Sequence, residues 1–582
     1  HRKEQATCLD ALDRLADECD RLDQATVDAA RAELEDRLPQ VLDELKPQHG
    51  SGLWEARKDY RDRVDAFPVG KRQEEARPVA KHELWEKVAS PKNADELLAA
   101  IRQRIEDYGY DPSRVLFELF QNADDATRQH PASAEGRFRL EYGDDRLTIS
   151  HWGRLINHPG PDVDEGIKKG WRSDLFNMLL MNLSEKREDV TGRFGLGFKS
   201  VHLLSKRVSI ASHFVSCRIK GGMLPEAWAE GRELSVRQGT DGRPATVINV
   251  EIDPERREDV VLALSAFAQA AAWLPAMSRS VRHIEIHGDG EWSAKFCDLN
   301  THMIRLVSFG GRGSGHALAL DLGEETTLFL PLDMQGPVAA PKGLPRLWLL
   351  APLAETLSTG WLMNGRRFRV DPGRGRLAGS ETEREEMFAE IGRTLGLRLV
   401  ELFDLVTGNW AVLAERAGLS GRSEDSGTQS FLLSLDGMFA TDRADPLARH
   451  LHGKDRGFGR LIAERAALAT GLPAPFSPFM RADEARFVMR GAIADTRLLA
   501  SLRDWQAMRL IGSAAISEKV ADRIDGLGFD RPRPFKVVDL LRHEIGDAKR
   551  VAPDLAQRLG KLVDDGFVKS LDKQEESELL EF

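Results

Sequence analysis

Three polar side chains within Asp111 to Ala126, DPSRVLFELFQNADDA, have types and spacing suited to chemistry. Asp111 is a capping acceptor and Pro112 fits the first helical position, so the stretch predicts a helix over 111–126. At about 100° per residue, Glu118, Asn122 and Asp125 share one stripe, with Leu116, Leu119, Phe120 and Ala123 opposite. A carboxylate one turn from an amide can orient a water while the amide oxygen holds a hard cation. An apolar back with a polar front is also what an ordinary surface helix shows.

A second stretch changes the weight of the first. Thr191 to Ser200 reads TGRFGLGFKS, with Gly192, Gly195 and Gly197 followed directly by an apolar, helix-compatible run. Glycines let backbone N–H groups approach phosphate oxygens, and a following helix adds the positive end of its dipole. The spacing matches neither the Walker loop nor the dinucleotide fingerprint, and a glycine-rich turn alone is the other reading.

Taken together, ELFQNADDA and GRFGLGFKSV resemble the nucleotide-binding domain shared by the ninety-kilodalton heat-shock chaperone, type II topoisomerases, mismatch-repair ATPases and histidine kinases. This is the GHKL or Bergerat fold, and the wording QNADDA and GFKSV looks most like its sacsin-like branch. The resemblance implies ATP and Mg²⁺ as cofactors. Glu118 would be the general base for water, Asn122 a Mg²⁺ ligand and Asp125 a nucleotide anchor. Gly192, Phe194, Gly195, Leu196, Gly197 and Phe198 would surround the phosphates. Lys199 either reaches a phosphate or is a surface lysine. Ser184 and Lys186 are phosphate contacts by the sacsin-like pattern, or part of a solvated turn.

Where the family has Asp-x-Gly, with a carboxylate that accepts the adenine amino group, this chain reads His151-Trp152-Gly153. A neutral imidazole can accept one hydrogen bond but brings no charge and no second oxygen. His151 and Gly153 are expected in the base pocket, a structural strand-end histidine being the other reading. Thr246 would place its hydroxyl near the base, or is simply a good strand residue. In the chaperone a second domain supplies an arginine to the γ-phosphate. Arg374 or Arg376 is the expected counterpart, unless both are surface arginines.

The elements that must position these residues follow from period and punctuation. Residues 137–150 read as a hairpin turning at Gly143-Asp144-Asp145, with further strands at 207–220 and 245–252. A lid lies over 157–190. Val260 to Met277 is too interrupted for a membrane span and reads as a buried helix. Strands at 281–287, 302–308 and 326–332 suggest a mixed second unit. The segment 349–377 continues the sacsin-like likeness through a hydrophobic-Asn-Gly element. Helical periodicity dominates from about 383, with GSET as its start, and 504–582 holds short amphipathic helices, at most a small winged module. Residues 1–66 read as a helical hairpin broken near Pro39 and at 47–52, a partner-binding arm or a packed appendage.

The predicted class is α+β: a helical arm at 1–88, a Bergerat α/β sandwich at 89–277, a mixed α/β middle domain at 278–382 and a helical region at 383–582. With 82 basic and 93 acidic side chains in 582 residues, the net charge of −11 argues against nucleic acid held by overall charge. Cys8, Cys19, Cys217 and Cys297 form no metal or disulfide pattern, which fits a reducing cytoplasm. The first residue is His1, expected of a piece of a longer reading frame or a tag remnant, and nothing there resembles a secretion signal. The expected function is slow ATP hydrolysis driving lid closure and dimerisation of a chaperone-like machine, through the N-terminal arm and C-terminal helices. Bacterial members of the sacsin-like branch are associated with defence. The alternatives are a nucleotide-sensing scaffold without turnover and a DNA-linked ATPase of the same superfamily.

Overall fold

The structure, a computed structural model, describes residues 2–66, 70–129, 136–160, 162–180, 197–213, 215–228, 230–231, 243–299, 302–371, 373, 375–419 and 424–465, with short pieces between 468 and 577. Helix α1 (Arg2–Leu45) runs through Pro39 without a break. An interior proline costs about 3 kcal/mol. Leu34, Leu38 and Leu42 are fully buried and Val41 nearly so, and each such side chain recovers roughly 1.5–3 kcal/mol. Burial therefore outweighs the missing N–H, which corrects the break expected at Pro39. The second expected break is present: Lys46 turns at φ 50° and Ser51 caps α2 (Gly52–Asp65), which is followed by α3 (Lys71–Val88).

Helix α4 (Pro91–Asp107) buries Leu97, Leu98, Ile101 and Ile105 along one stripe. Asp111 then caps a 3₁₀ turn over Pro112–Arg114 through the Ser113 N–H at 2.8 Å, and α5 (Val115–Arg128) continues from it. The hairpin of β1 (Gly136–Tyr142) and β2 (Arg146–His151) forms as its alternation predicts. Two short helices follow, α6 (Val163–Lys168) and α7 (Asp174–Leu179). The run 207–220 is two strands, β3 (Arg207–Ser212) and β4 (Val215–Lys220), because His213 turns the chain at φ 47°. Next come β5 (Leu224–Ala227) and β6 (Thr246–Glu251). Apolar 260–277 is split into α8 (Arg257–Ala270) and α9 (Leu274–Met277). No described helix is long and apolar enough to cross a membrane.

The strands that follow do not start a separate sheet. β7 (Val281–Ile286) pairs in parallel with β1, and β8 (Gly290–Asp298), β9 (Ile304–Gly311), β10 (Gly315–Asp321) and β11 (Thr326–Asp333) extend it as an antiparallel meander. With β12 (Gly336–Pro337), β13 (Leu347–Leu349), β14 (Ala351–Pro352) and β15 (Leu362–Gly365), the described residues form one sheet of fifteen strands. The far end carries α10 (Glu381–Gly408), started by the capping box of Ser380 and Glu383, then α11 (Trp410–Ala417), α12 (Glu424–Ala440) and α13 (Gly457–Arg465).

Side-chain alternation joins the two halves. Ala317 and Ala319 of β10 face the core that α1, α4, α5 and α8 cover, whereas Leu318 and Leu320 face the core under α10, α12 and α13. On the first side, Phe117 and Phe120 of α5 meet Phe138 and Phe267 with ring centroids 5.2–6.0 Å apart. A polar tie fixes the same helix. The fully buried Asp124 carboxylate accepts from the Ser278 hydroxyl at 2.6 Å and from the N–H groups of Arg279, Ser280 and Val281 at 3.2, 2.7 and 2.9 Å. Asp124→Asn removes the charge and turns one acceptor into a donor, at a cost of roughly 3 kcal/mol. The first thermal transition is expected to fall by about 5–10 °C, read by differential scanning calorimetry. An unchanged transition would show that the turn at 278–281 holds without this carboxylate.

Candidate functional site

A cavity of about 1050 Å³ opens between α5, the ends of β2 and β6, the 3₁₀ turn Phe198–Leu203 and the strands from β11 to β15. Glu118, Asn122, Asp125, His151, Gly197, Phe198 and Thr246 all line it. The helix phase thus brings acid, amide and acid to one wall, as read from their spacing. Leu119, assigned to the apolar back, lines the wall as well.

Glu118 is 1% exposed, and its Oε2 lies 2.7 Å from where a β-carbon on Gly197 would sit. Any larger residue at 197 would displace the carboxylate, so this glycine answers to a close approach. Asn122 is exposed within the cavity and free to turn its amide oxygen inward. Asp125 lies 3.6 Å from Arg128, but burial dominates and lifts its pKa above the usual carboxylate range.

The other end of the cavity is built around His151. The Gly153 N–H donates to His151 Nδ1 at 3.2 Å, and burial, with Arg154 nearby, depresses the ring's pKa to about 4. The imidazole is therefore neutral at pH 7. Its Nδ1 already accepts from the Gly153 N–H. Gly153 is not on the cavity wall: a β-carbon there would come within 2.6 Å of the Ala126 and Thr127 backbone, so it serves the packing of β2 against α5. The Thr246 and Ser212 hydroxyls are 2.8 Å apart, and Ser212 also accepts from Ile156 N–H at 3.0 Å.

Arg154 anchors the segment that follows. Its guanidinium bonds Asp174 at 2.7 Å, Gln129 at 2.8 Å and the carbonyls of Leu155 and His158, and stacks on Trp171. Asp174 in turn accepts from Asn157 N–H at 3.0 Å, and the Asn157 amide oxygen takes Leu175 N–H at 2.9 Å. The described part of the expected lid, through residue 180, is thus a folded pair of short helices, and Lys169 pairs with Glu165 on its surface.

Lys199 does not reach the cavity. It is fully buried, donates to the Gly222 carbonyl at 3.0 Å, and burial brings its pKa down to about 7. The 3₁₀ turn after Gly197 carries the side chain beside His202 and Arg102, off the cavity wall. Ser184, Lys186, Gly192, Phe194, Gly195, Leu196 and Arg374 lie outside the described residues. Arg376 is exposed and off the cavity wall.

The cationic side chains that do line the far wall include Arg279 and Arg366. They share Glu325, at 2.9 and 3.2 Å, so two guanidiniums face one carboxylate and a net positive charge remains. Burial, and then Arg366, lower the pKa of Arg279. Sequence reading missed both, although Arg366 directly follows the Asn364-Gly365 pair it had singled out. Asn364 itself stitches the wall, donating to Met277 O and accepting from Leu350 N–H, both at 2.8 Å. Gln121 of α5 donates to Leu349 O at 3.0 Å across the same seam.

No protein-family model matches the chain, and no curated protein matches it. Among solved structures, the ATPase region of Saccharomyces cerevisiae topoisomerase II is similar over 40% of this chain and 60% of its own, at 11% identity and a TM-score of 0.24. The ATPase and transducer domains of DNA topoisomerase II from Balamuthia mandrillaris are similar over 40% of this chain and 58% of their own, at 13% identity and a TM-score of 0.23. The chain thus spans about three fifths of the solved chains it matches.

The buried imidazoles set a pH dependence. His151 titrates near 4, and burial with the neighbouring Lys199 charge brings His202 to about 3. Both sit below the unfolded value of about 6.5, so their contribution is complete above that pH and is lost as pH falls toward 4 and then 3. Each costs up to about 1.4 kcal/mol per pH unit in that window. Melting temperature measured between pH 7 and 4.5 is expected to fall less steeply for His202→Asn than for wild type. Parallel curves would mean that His202 takes up its proton in the folded chain.

Proposed function

We propose that the chain binds a nucleoside triphosphate in this cavity and hydrolyses its γ-phosphate, as a Mg²⁺-dependent ATPase of the GHKL type. The observation that carries the reading is the contact between the Glu118 carboxylate and Gly197, the last glycine of the glycine-rich run, in one cavity with Asn122. A general base, a neutral oxygen ligand and a close-approach backbone then meet at one end, as water attack on a phosphoryl group requires.

Glu118 would hold the attacking water and take its proton, its carboxylate kept in place by the turn at Gly197. Asn122 would supply an amide oxygen to the metal ion. Among the described residues no group of three His, Cys, Asp or Glu could hold a metal, so the donor set suits an ion that arrives with phosphates and keeps waters. When bound, Mg²⁺ would neutralise charge on the phosphate oxygens. Arg279 and Arg366 would meet that charge from the opposite wall, exchanging Glu325 for phosphate oxygens.

In this reading residues 89–277 form the nucleotide unit and 278–382 the unit that responds to it, and the γ-phosphate acts as a switch that draws the two walls together. The machine is sacsin-like and chaperone-like, with dimer contacts through the N-terminal arm and the C-terminal helices.

Phosphate release by the full chain with ATP and Mg²⁺, alongside calorimetric binding of a non-hydrolysable analogue, tests this. Glu118→Ala is expected to lower release by roughly a hundredfold or more with binding kept, and Asn122→Ala to weaken Mg²⁺-dependent binding. Wild-type release by Glu118→Ala would remove the general base. Binding without any release by wild type would favour a nucleotide sensor.

A further inference from the structure

The cavity wall formed by the second half of the sheet carries two groups of cationic side chains. Arg279 and Arg366 belong to the first, with Glu325 between them and Arg128 and Asp125 beside them. The second is built on Phe296. Arg282 of β7 and Arg305 of β9 hold their guanidiniums 4.9 and 4.7 Å from the centre of that ring, and all three residues line the cavity. Arg366 follows β15, which lies three strands from β9, roughly 14 Å across the sheet. The two groups are therefore separate.

Strand register brings the second group together. Arg305 lies opposite Ala319 and Phe296 opposite Val307, so both side chains stand on the face of the first core. Across β8 and β9 they are diagonal neighbours, within reach of a long side chain. An aromatic face attracts a cation but has no net charge to cancel it.

The carboxylates nearby are engaged elsewhere. Asp124 and Arg305 are the charges that act on Arg282, whose pKa burial chiefly lowers, and Asp124 already takes four donors of the turn at 278–281. Arg282 itself donates to the carbonyls of Pro275, Ser278 and Arg279 at 2.8, 2.6 and 2.9 Å. Asp298, opposite Arg305 on β8, pairs with His302, and Asp321 takes the Gly323 N–H at 2.8 Å. Arg305 is left with its stack. Its Nε is buried without a hydrogen-bond partner, and among the described residues no carboxylate lies within ion-pair distance of its guanidinium. A half-buried, unpaired guanidinium beside a second one contributes little to stability and is ready for an anion.

We propose that Arg282, Phe296 and Arg305 form a second anion site, which takes the phosphate or carboxylate group of a small ligand distinct from the nucleotide. Arg305 supplies N–H donors to its oxygens, and Arg282 adds charge while its own hydrogen bonds keep it in place. The proposal goes beyond the nucleotide reading and does not rest on it.

The test is calorimetric titration of the full chain with inorganic phosphate and, separately, with acetate, at constant ionic strength. Each titration is repeated with Mg²⁺ and a saturating non-hydrolysable ATP analogue. With the analogue in place one anion is expected to bind per chain, and binding of either supports the site and tells phosphate from carboxylate. Affinity is expected to fall roughly tenfold or more in Arg305→Met and to stay within about twofold in Arg366→Met, which alters the first group. Arg305→Met keeps an apolar stem over Phe296 and removes only unpaired donors, so its melting temperature is expected to match or exceed that of wild type. A clear drop in that temperature marks the arginine as structural and overturns the proposal. So do binding of neither anion, equal binding by Arg305→Met, equal loss in Arg366→Met, and displacement of the anion by the analogue. Failure of the analogue to bind, with the anion still lost in Arg305→Met, overturns the nucleotide reading alone.

Discussion

The Asp124 carboxylate is the constraint on which the rest of the structure depends. Four donors from one turn, Ser278 to Val281, converge on this fully buried group. That turn is where the chain enters β7, and β7 is the strand that adds the second half of the sheet to β1. A single side chain therefore fixes the rotation of α5 and the point at which the sheet is extended. The neighbouring acid cannot share the role: one residue on, the helix has turned by about 100°, and Asp125 points into the cavity. Two adjacent aspartates thus stand in different surroundings, one buried among donors and one on the cavity wall beside Arg128.

With α5 held, the cavity has acidic and basic side chains on facing walls. Glu118 and Asp125 lie on one wall, and Arg279 and Arg366 on the other, with Glu325 drawing both arginines toward the second half of the chain. Hydrogen bonds to backbone carbonyls also cross the seam: Gln121 to Leu349 O, Arg114 to Pro352 O, Asn364 to Met277 O. Such bonds join the two walls. Under the nucleotide proposal, phosphate oxygens would face the guanidiniums and the metal the carboxylate and amide.

What the sequence disclosed and what it concealed divide along physical lines. Helix phase is local, so the shared face of Glu118, Asn122 and Asp125 was legible, as were the 111–114 cap, the 137–150 hairpin and the Ser380 capping box. Lys199 was misread because a 3₁₀ turn has three residues per turn, not 3.6, and carries that side chain to Gly222. His151 was placed correctly on the wall, but its tautomer depends on a backbone N–H two residues away, which composition does not reveal. Asp124 was passed over because its partners are more than 150 positions along the chain. The arginine wall was hidden for the same reason. Of the strands after residue 280, β7, β9 and β11 were legible, but β8 and β10 were not, and neither was their fusion with the first sheet, which rests on the parallel pairing of β7 with β1.

The two ends of the cavity are held by different means, and that difference bears on what each can do. The end at His151 is a closed hydrogen-bond system within one unit: Gly153 fixes the ring, Arg154 ties the following loop to Asp174 and Gln129, and Ser212 joins Thr246 to Ile156. His151 Nδ1, the Arg154 guanidinium and the Ser212 hydroxyl are thus held by partners within the chain. The end at Glu118 is assembled from three separate pieces: the helix, the turn after the glycine run and the strands beyond β7. Its geometry changes if those pieces move, as the positions of Arg279 and Arg366 are set by the second half of the sheet. Under the nucleotide proposal a ligand touching both would couple them, so binding energy gained at the first could be used to draw the walls together at the second.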